Sequence, residues 1–187
     1  MARIELPEVL TPEQKAAADE VINGPRGFLP SVVIGWLRHP ELARRLQNLG
    51  LLLRYDTSLD PVVTELAILV CARHWTSHTE WKGHKAMALA TGMDPRICAD
   101  IAARRTPVLT APAARAAYDL ASALLRSGRP TGPEYHAAID ALGEKGVMEV
   151  IGIVGYYSLA SFTINTFELG LPEDAVPELE DPEFPGV

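Results

Sequence analysis

The chain has 187 residues, 48% of them hydrophobic and 22% charged, which suffices for one well-buried domain and excludes disorder throughout. A formal net charge of -7, with basic residues adjacent only at Arg44-Arg45 and Arg104-Arg105, excludes nucleic acid as the main partner. No apolar run reaches the roughly 20 residues that cross a bilayer; the longest, 147–162, is interrupted by Gly152, Gly155, Tyr156, Tyr157, Ser158 and Ser161. The opening MARIELPEVL carries acids where a secretory leader carries a basic stretch. Cys71 and Cys98 form neither a disulfide framework nor a metal knuckle. The expectation is a cytoplasmic protein with no nucleic-acid or membrane partner.

Helix punctuation is dense and strand signals are scarce, so the fold class is all-α. Thr11-Pro12-Glu13-Gln14 reads as an N-cap, a first-turn proline and a capping-box partner, with Gly24 closing that helix. After the Gly24–Gly27 loop comes a short apolar stretch over 31–37. Pro40 opens the next, in which Leu42, Leu46, Leu49 and Leu53 recur at helical spacing. Asp60-Pro61 starts PVVTELAILVCARHW, apolar on most of its circumference and therefore central. A segment over 77–91 ends at Gly92, a C′ residue. Asp94-Pro95 opens a short helix, 110–126 a long alanine-rich one, and two more cover 131–142 and 146–169. The expected division is one helical domain over 1–170 and a tail over 171–187 holding six acids, four prolines and no basic residue. Such a tail lies in solvent or across a neighbouring subunit. A weak internal echo at an offset of 84 lays Glu65 over Glu149 and suggests two related hairpins.

The unusual polar residues concentrate between Glu65 and His84, with His74, Ser77, His78 and Glu80 between them. In one straight helix Glu65 and His84 would stand about 28 Å apart. Ser77-His78-Thr79-Glu80, however, has the form of a capping box, so a new helix starts near Ser77. A hairpin folded there returns His84 to Glu65 inside an apolar core. A carboxylate beside an imidazole in such surroundings fixes its tautomer and tunes its proton exchange. Glu80, one turn before His84, shares its helix face.

The pattern Glu65-(x18)-His84, ending in Glu80-Trp81-x-x-His84, resembles the carboxymuconolactone decarboxylase family, which includes the alkyl hydroperoxidase D-like proteins. The segments LTPEQ, GPRG, RHPELARRLQNLG, ELAILVCARHW and GYYSLASFTINTFE extend the resemblance to the family's longer members. It implies a helical fold around a hairpin and a homo-oligomer, whether dimer, trimer or hexamer. It also implies decarboxylation of a carboxylated butenolide as the reaction, with no metal and no organic cofactor. On that reading His84 is the acid/base, Glu65 its orienter and Glu80 a second proton carrier. A small organic acid or lactone is the substrate, with Arg73 and Arg38 the arginines nearest to hold it. Trp36 and His39, which follow the short apolar stretch, together with Ser77 and Trp81, are candidate pocket residues.

The departures from the family pattern carry weight. The peroxidase branch has Cys-x-x-Cys seven and four positions before the histidine, where this chain has Ser77 and Glu80. A hydroxyl and a carboxylate cannot form the disulfide that peroxide reduction requires, so a peroxiredoxin activity is the disfavoured alternative. A non-catalytic ligand-binding oligomer is the other. Each residue also has a plain structural role available: Ser77 and Glu80 as capping pair, His74 and His78 as turn residues, the tryptophans as core. The helical pairs His74/His78 and Glu80/His84 have metal-site spacing, but the break at Thr76-Ser77 spoils the first.

Overall fold

A proline, which has no N–H to leave unpaired, stands at the first position of five helices, four of them as the sequence predicts, while the helix expected from 110 starts at Pro112. The computed structural model describes residues 2–171 and 176–180, and every regular element among them is a helix. In order these are α1 (Pro12–Ile22), α2 (Ser31–Trp36), α3 (Pro40–Tyr55), α4 (Pro61–His74), α5 (His78–Ala90), α6 (Pro95–Ala102), α7 (Pro112–Ser127) and α8 (Gly132–Phe167). The predicted capping box of α1 forms, with Gln14 N donating to Thr11 Oγ1 and Thr11 N to Gln14 Oε1. Gly92 takes the left-handed conformation (φ +93°) expected after α5. The predicted break between the last two helices falls at Gly143 (φ 69°, ψ 171°), inside the span of α8.

α4 is central, as its uniform apolarity requires: Leu66, Ala67, Ile68, Leu69, Cys71 and Ala72 are all shut from solvent. It packs against α5, α7 and α8, while α1–α3 form a second layer over α8. The far end of α8 pins the turn between α4 and α5, because Asn165 Nδ2 donates to the Trp75 carbonyl and Trp75 Nε1 to Ser158 Oγ. Glu149 holds the approach to α4 by accepting from Ser58 N and Oγ.

Three expectations change. α8 is long and apolar enough to cross a bilayer by length and composition, contrary to the sequence reading, yet 56% of that apolar stretch is buried within the protein. Glycines and tyrosines interrupt an apolar run on paper without interrupting a helix. α3 buries Leu46 and Leu53 but leaves Leu42 and Leu49 more than two-fifths exposed. Its inner face is turned toward Ala43, Gln47 and Gly50. Lastly, the tail over 176–180 is anchored on its own chain, although only Leu179 of these five residues is buried. Leu179 joins the core, Glu178 bonds Lys85 and accepts from Trp81 Nε1, and Arg73 Nη2 donates to the Glu180 carbonyl. The rest of the predicted tail, 172–175 and 181–187, lies outside the described residues.

Candidate active site

The break between α4 and α5 is sharp because Thr76 adopts a left-handed backbone (φ 47°). The Ser77 N–H closes the turn onto the Ala72 carbonyl, and Arg73 Nη1 holds the Thr76 hydroxyl. A left-handed β-branched residue is costly, and the surrounding contacts must impose it. The chain therefore doubles back, and residues nineteen apart meet: His84 Nδ1 lies 2.7 Å from Glu65 Oε2. Glu80 Oε2 stands 3.4 Å from the other ring nitrogen, so the imidazole lies between two carboxylates. All three side chains are nearly buried, at 6%, 10% and 12% exposure for His84, Glu65 and Glu80.

Burial alone would push the His84 value down. The hydrogen bonds and charges of Glu65 and Glu80 outweigh it and hold the value above that of an ordinary histidine. Beneath the ring lies Tyr157, edge-on at 4.8 Å, itself packed against Tyr156. Burial drives the Tyr157 hydroxyl well above the usual phenol range and that of Tyr156 to about 12. Both tyrosines are thus neutral donors. Because Glu65 and Glu80 bracket opposite ring nitrogens, the three groups share no common point for a cation. Among the described residues no set of His, Cys, Asp and Glu converges as a metal requires.

The pocket candidates are dispersed. Trp36 reaches the site indirectly, edge-on to Tyr156 with its Nε1 donating to Thr163 Oγ1. His39 is exposed and serves α3 as its cap, Nδ1 accepting from Leu42 N. Trp81 is buried and turned to the tail, where it meets Glu178. Ser77 is fully buried, but its hydroxyl does not cap α5; the predicted capping box is absent because Glu80 is engaged with His84. Arg73 and Arg38 do not face the imidazole. The first bonds the carbonyls of Ala102 and Glu180, the second those of Ile34 and Glu5.

The cations near the site are instead Arg54 and Arg26. Arg54 raises no ion pair among the described residues; its Nη2 reaches Met87 Sδ and its Nε is buried with no partner. Arg26 donates through Nε to Gln47 Oε1, leaving Gln47 Nε2 buried and unpaired. The Tyr157 hydroxyl is likewise buried without a partner. Both arginines act electrostatically on Tyr156, and Arg54 also on Tyr157. Sequence reasoning passed over these groups, although Gln47, Gly50 and Arg54 recur at i, i+3 and i+7 along one face of a leucine-rich helix.

The cysteines remain apart. Cys71 is buried against Val154 and Ser158, its thiol pushed up to about 12 by burial, and Cys98 contacts Met93 from α6. Two cavities, of about 180 and 350 Å³, open elsewhere: one among α4, α6 and α7, the other between α7 and α8.

Residues 40–123 match the carboxymuconolactone decarboxylase family model. The match runs from the start of α3 into α7, taking in Gln47, Arg54, Glu65, Glu80 and His84 but stopping short of Tyr156 and Tyr157. Among curated proteins none matches this chain.

Proposed function

From a chain that carries a carboxymuconolactone decarboxylase family domain over residues 40–123, we infer an enzyme that performs cofactor-free acid–base chemistry on a small organic acid or lactone. The observation that carries this reading is the buried Glu65–His84–Glu80 line, with 2.7 Å between His84 Nδ1 and Glu65 Oε2. Loss of carbon dioxide from a carboxylated butenolide breaks the bond from ring carbon to carboxylate, and the electron pair passes into the adjoining unsaturation. A carbon of that system then takes a proton. An imidazole kept protonated by a carboxylate at each nitrogen supplies it from Nε2, once the longer contact to Glu80 yields, and Glu80 returns a proton from solvent. Glu65 is the positioning residue that fixes Nδ1.

The orphan groups support an acceptor-rich substrate. Arg54 Nε and Gln47 Nε2 can only donate, and the Tyr157 hydroxyl can donate. Buried donors without partners are costly, and a carboxylate or lactone carbonyl satisfies them. Thiol peroxidase chemistry has no support in Cys71 and Cys98, which are buried on separate helices. One observation favours a second reading, a non-catalytic ligand-binding oligomer: His84 is only 5% exposed, and neither cavity is lined by it. The exposed apolar residues along α8 support self-association. The two free, buried thiols suit a reducing cytoplasm.

The two readings part on one measurement, release of carbon dioxide from a panel of carboxylated butenolides. The expected result is turnover by the wild-type chain and a loss of at least 100-fold in His84→Ala, within the range that acid–base groups contribute, with helicity and assembly unchanged. Undiminished turnover in His84→Ala defeats the catalytic assignment; saturable binding of the lactones with no release of carbon dioxide establishes the second reading.

A further inference from the structure

The cavity among α4, α6 and α7 is lined by neither Glu65 nor His84; its nearest α4 residue, Val70, lies five positions beyond Glu65, about 7.5 Å along the helix and on a different face of it. Its chemistry is divided. Val70, Ile101 and Leu125 supply an apolar floor, while Arg104, Arg105, His74 and Ser122 supply polar groups. Within a chain of net charge -7 this concentration of cations is unusual. Asp100 bonds Arg105 and neutralises it in part. Arg104 has no carboxylate partner among the described residues; its Nη2 makes only a long contact, 3.5 Å, to Thr76 Oγ1. Burial and the Arg104 charge hold His74 below the ordinary imidazole range, leaving it a neutral ring that can donate or accept.

The backbone fixes where Arg104 sits. Arg104 has φ +55°, a left-handed conformation uncommon outside glycine, asparagine and aspartate. Its N–H bonds the Ile101 carbonyl and that of Arg105 the Asp100 carbonyl, the pattern of a left-handed helix C-cap, so the end of α6 sets Arg104 at the cavity rim.

We propose that this cavity is a second binding site, for a small organic monoanion whose acidic head meets Arg104 and whose apolar body lies on Val70, Ile101 and Leu125. Size sets the limit: about 180 Å³ falls below the roughly 300–1,000 Å³ of pockets for drug-sized ligands, leaving room for one ring or a short chain. The apolar floor selects an organic acid over inorganic phosphate, and the exposed guanidinium selects an acid over its amide.

The probes are benzoate, benzamide and inorganic phosphate, titrated onto the full chain by calorimetry and followed by the chemical shifts of His74 and Tyr118. Benzoate is expected to bind saturably and to move those signals, with benzamide and phosphate at least tenfold weaker. Arg104→Asn, which tolerates the left-handed backbone, should weaken benzoate at least tenfold, and Ser122→Leu, which fills the cavity, should do the same while leaving every charge in place. His84→Ala should bind benzoate as the wild type does. No saturable binding of benzoate overturns the proposal, as does phosphate binding as tightly as benzoate. Binding that survives both cavity variants, or that is lost in His84→Ala, overturns it too by placing benzoate elsewhere.

Discussion

His84 is poised between two opposing effects, and which one wins has a measurable consequence. Desolvation disfavours the imidazolium, but hydrogen bonds and charges from Glu65 and Glu80 prevail, so the folded chain binds that proton more tightly than the unfolded one. Stability from this site is therefore complete below the ordinary value of 6.5 and fades as pH rises through the raised value. Glu65→Gln removes the nearer charge. Left to burial and Glu80 alone, His84 should titrate lower and the fade should move down in pH. Removing one member of a buried pair also costs on the order of 3 kcal/mol. Urea midpoints across a pH series spanning 6.5 test both statements. Identical profiles for wild type and Glu65→Gln would show that the pair contributes nothing through its charge.

At the level of the helix, Gly50 controls how closely α3 approaches α8. A Cβ there would lie 2.3 Å from Tyr156 Oη, 2.7 Å from its Cζ and 2.8 Å from Arg26 Nη2. Gly→Ala inside a helix ordinarily stabilises by roughly 1 kcal/mol. Here overpacking, at about 1–3 kcal/mol, should reverse the sign and push Tyr156, and with it Tyr157, from beneath His84. Gly50→Ala is thus expected to melt lower than wild type, and Gly50→Ala/Tyr156→Phe, which removes the nearest atom, to regain part of the loss. A Gly50→Ala chain more stable than wild type would mean that α3 gives way freely. Much of this element-level order is legible in the sequence, since Pro12, Pro40, Pro61, Pro95 and Pro112 start helices by local chemistry alone. The Glu65–His84 meeting is legible as well, because both residues belong to one hairpin whose turn is written between them. Arg26, Gln47, Arg54, Tyr156 and Tyr157 are not, since they converge from segments more than a hundred residues apart. The inward face of α3 follows from packing on α8, which moves its seam off the leucine row. Ser77 and Glu80 match a capping box by spacing, but a buried imidazole outcompetes the backbone N–H for the carboxylate.

Across the whole molecule, α8 has two apolar sides. Val150, Ile153, Tyr157 and Ala160 face the core, whereas Met148, Ile151, Leu159 and Phe162 are 37–61% exposed. The latter recur at i, i+3, i+11 and i+14 with Gly155 between them, so they form one stripe along the helix. Burying such a stripe against a second copy returns roughly 25 cal/mol for each Å² of apolar surface removed from water, which favours an oligomer over a monomer. The wild-type chain is expected to sediment as a multiple of 20.3 kDa. Ile151→Glu with Leu159→Lys places charges in the middle of the stripe without touching the core, where substitutions usually change stability by no more than about 0.5 kcal/mol. That double variant should sediment as a monomer with unaltered helicity. If wild type and variant sediment alike, the stripe is not where the copies meet.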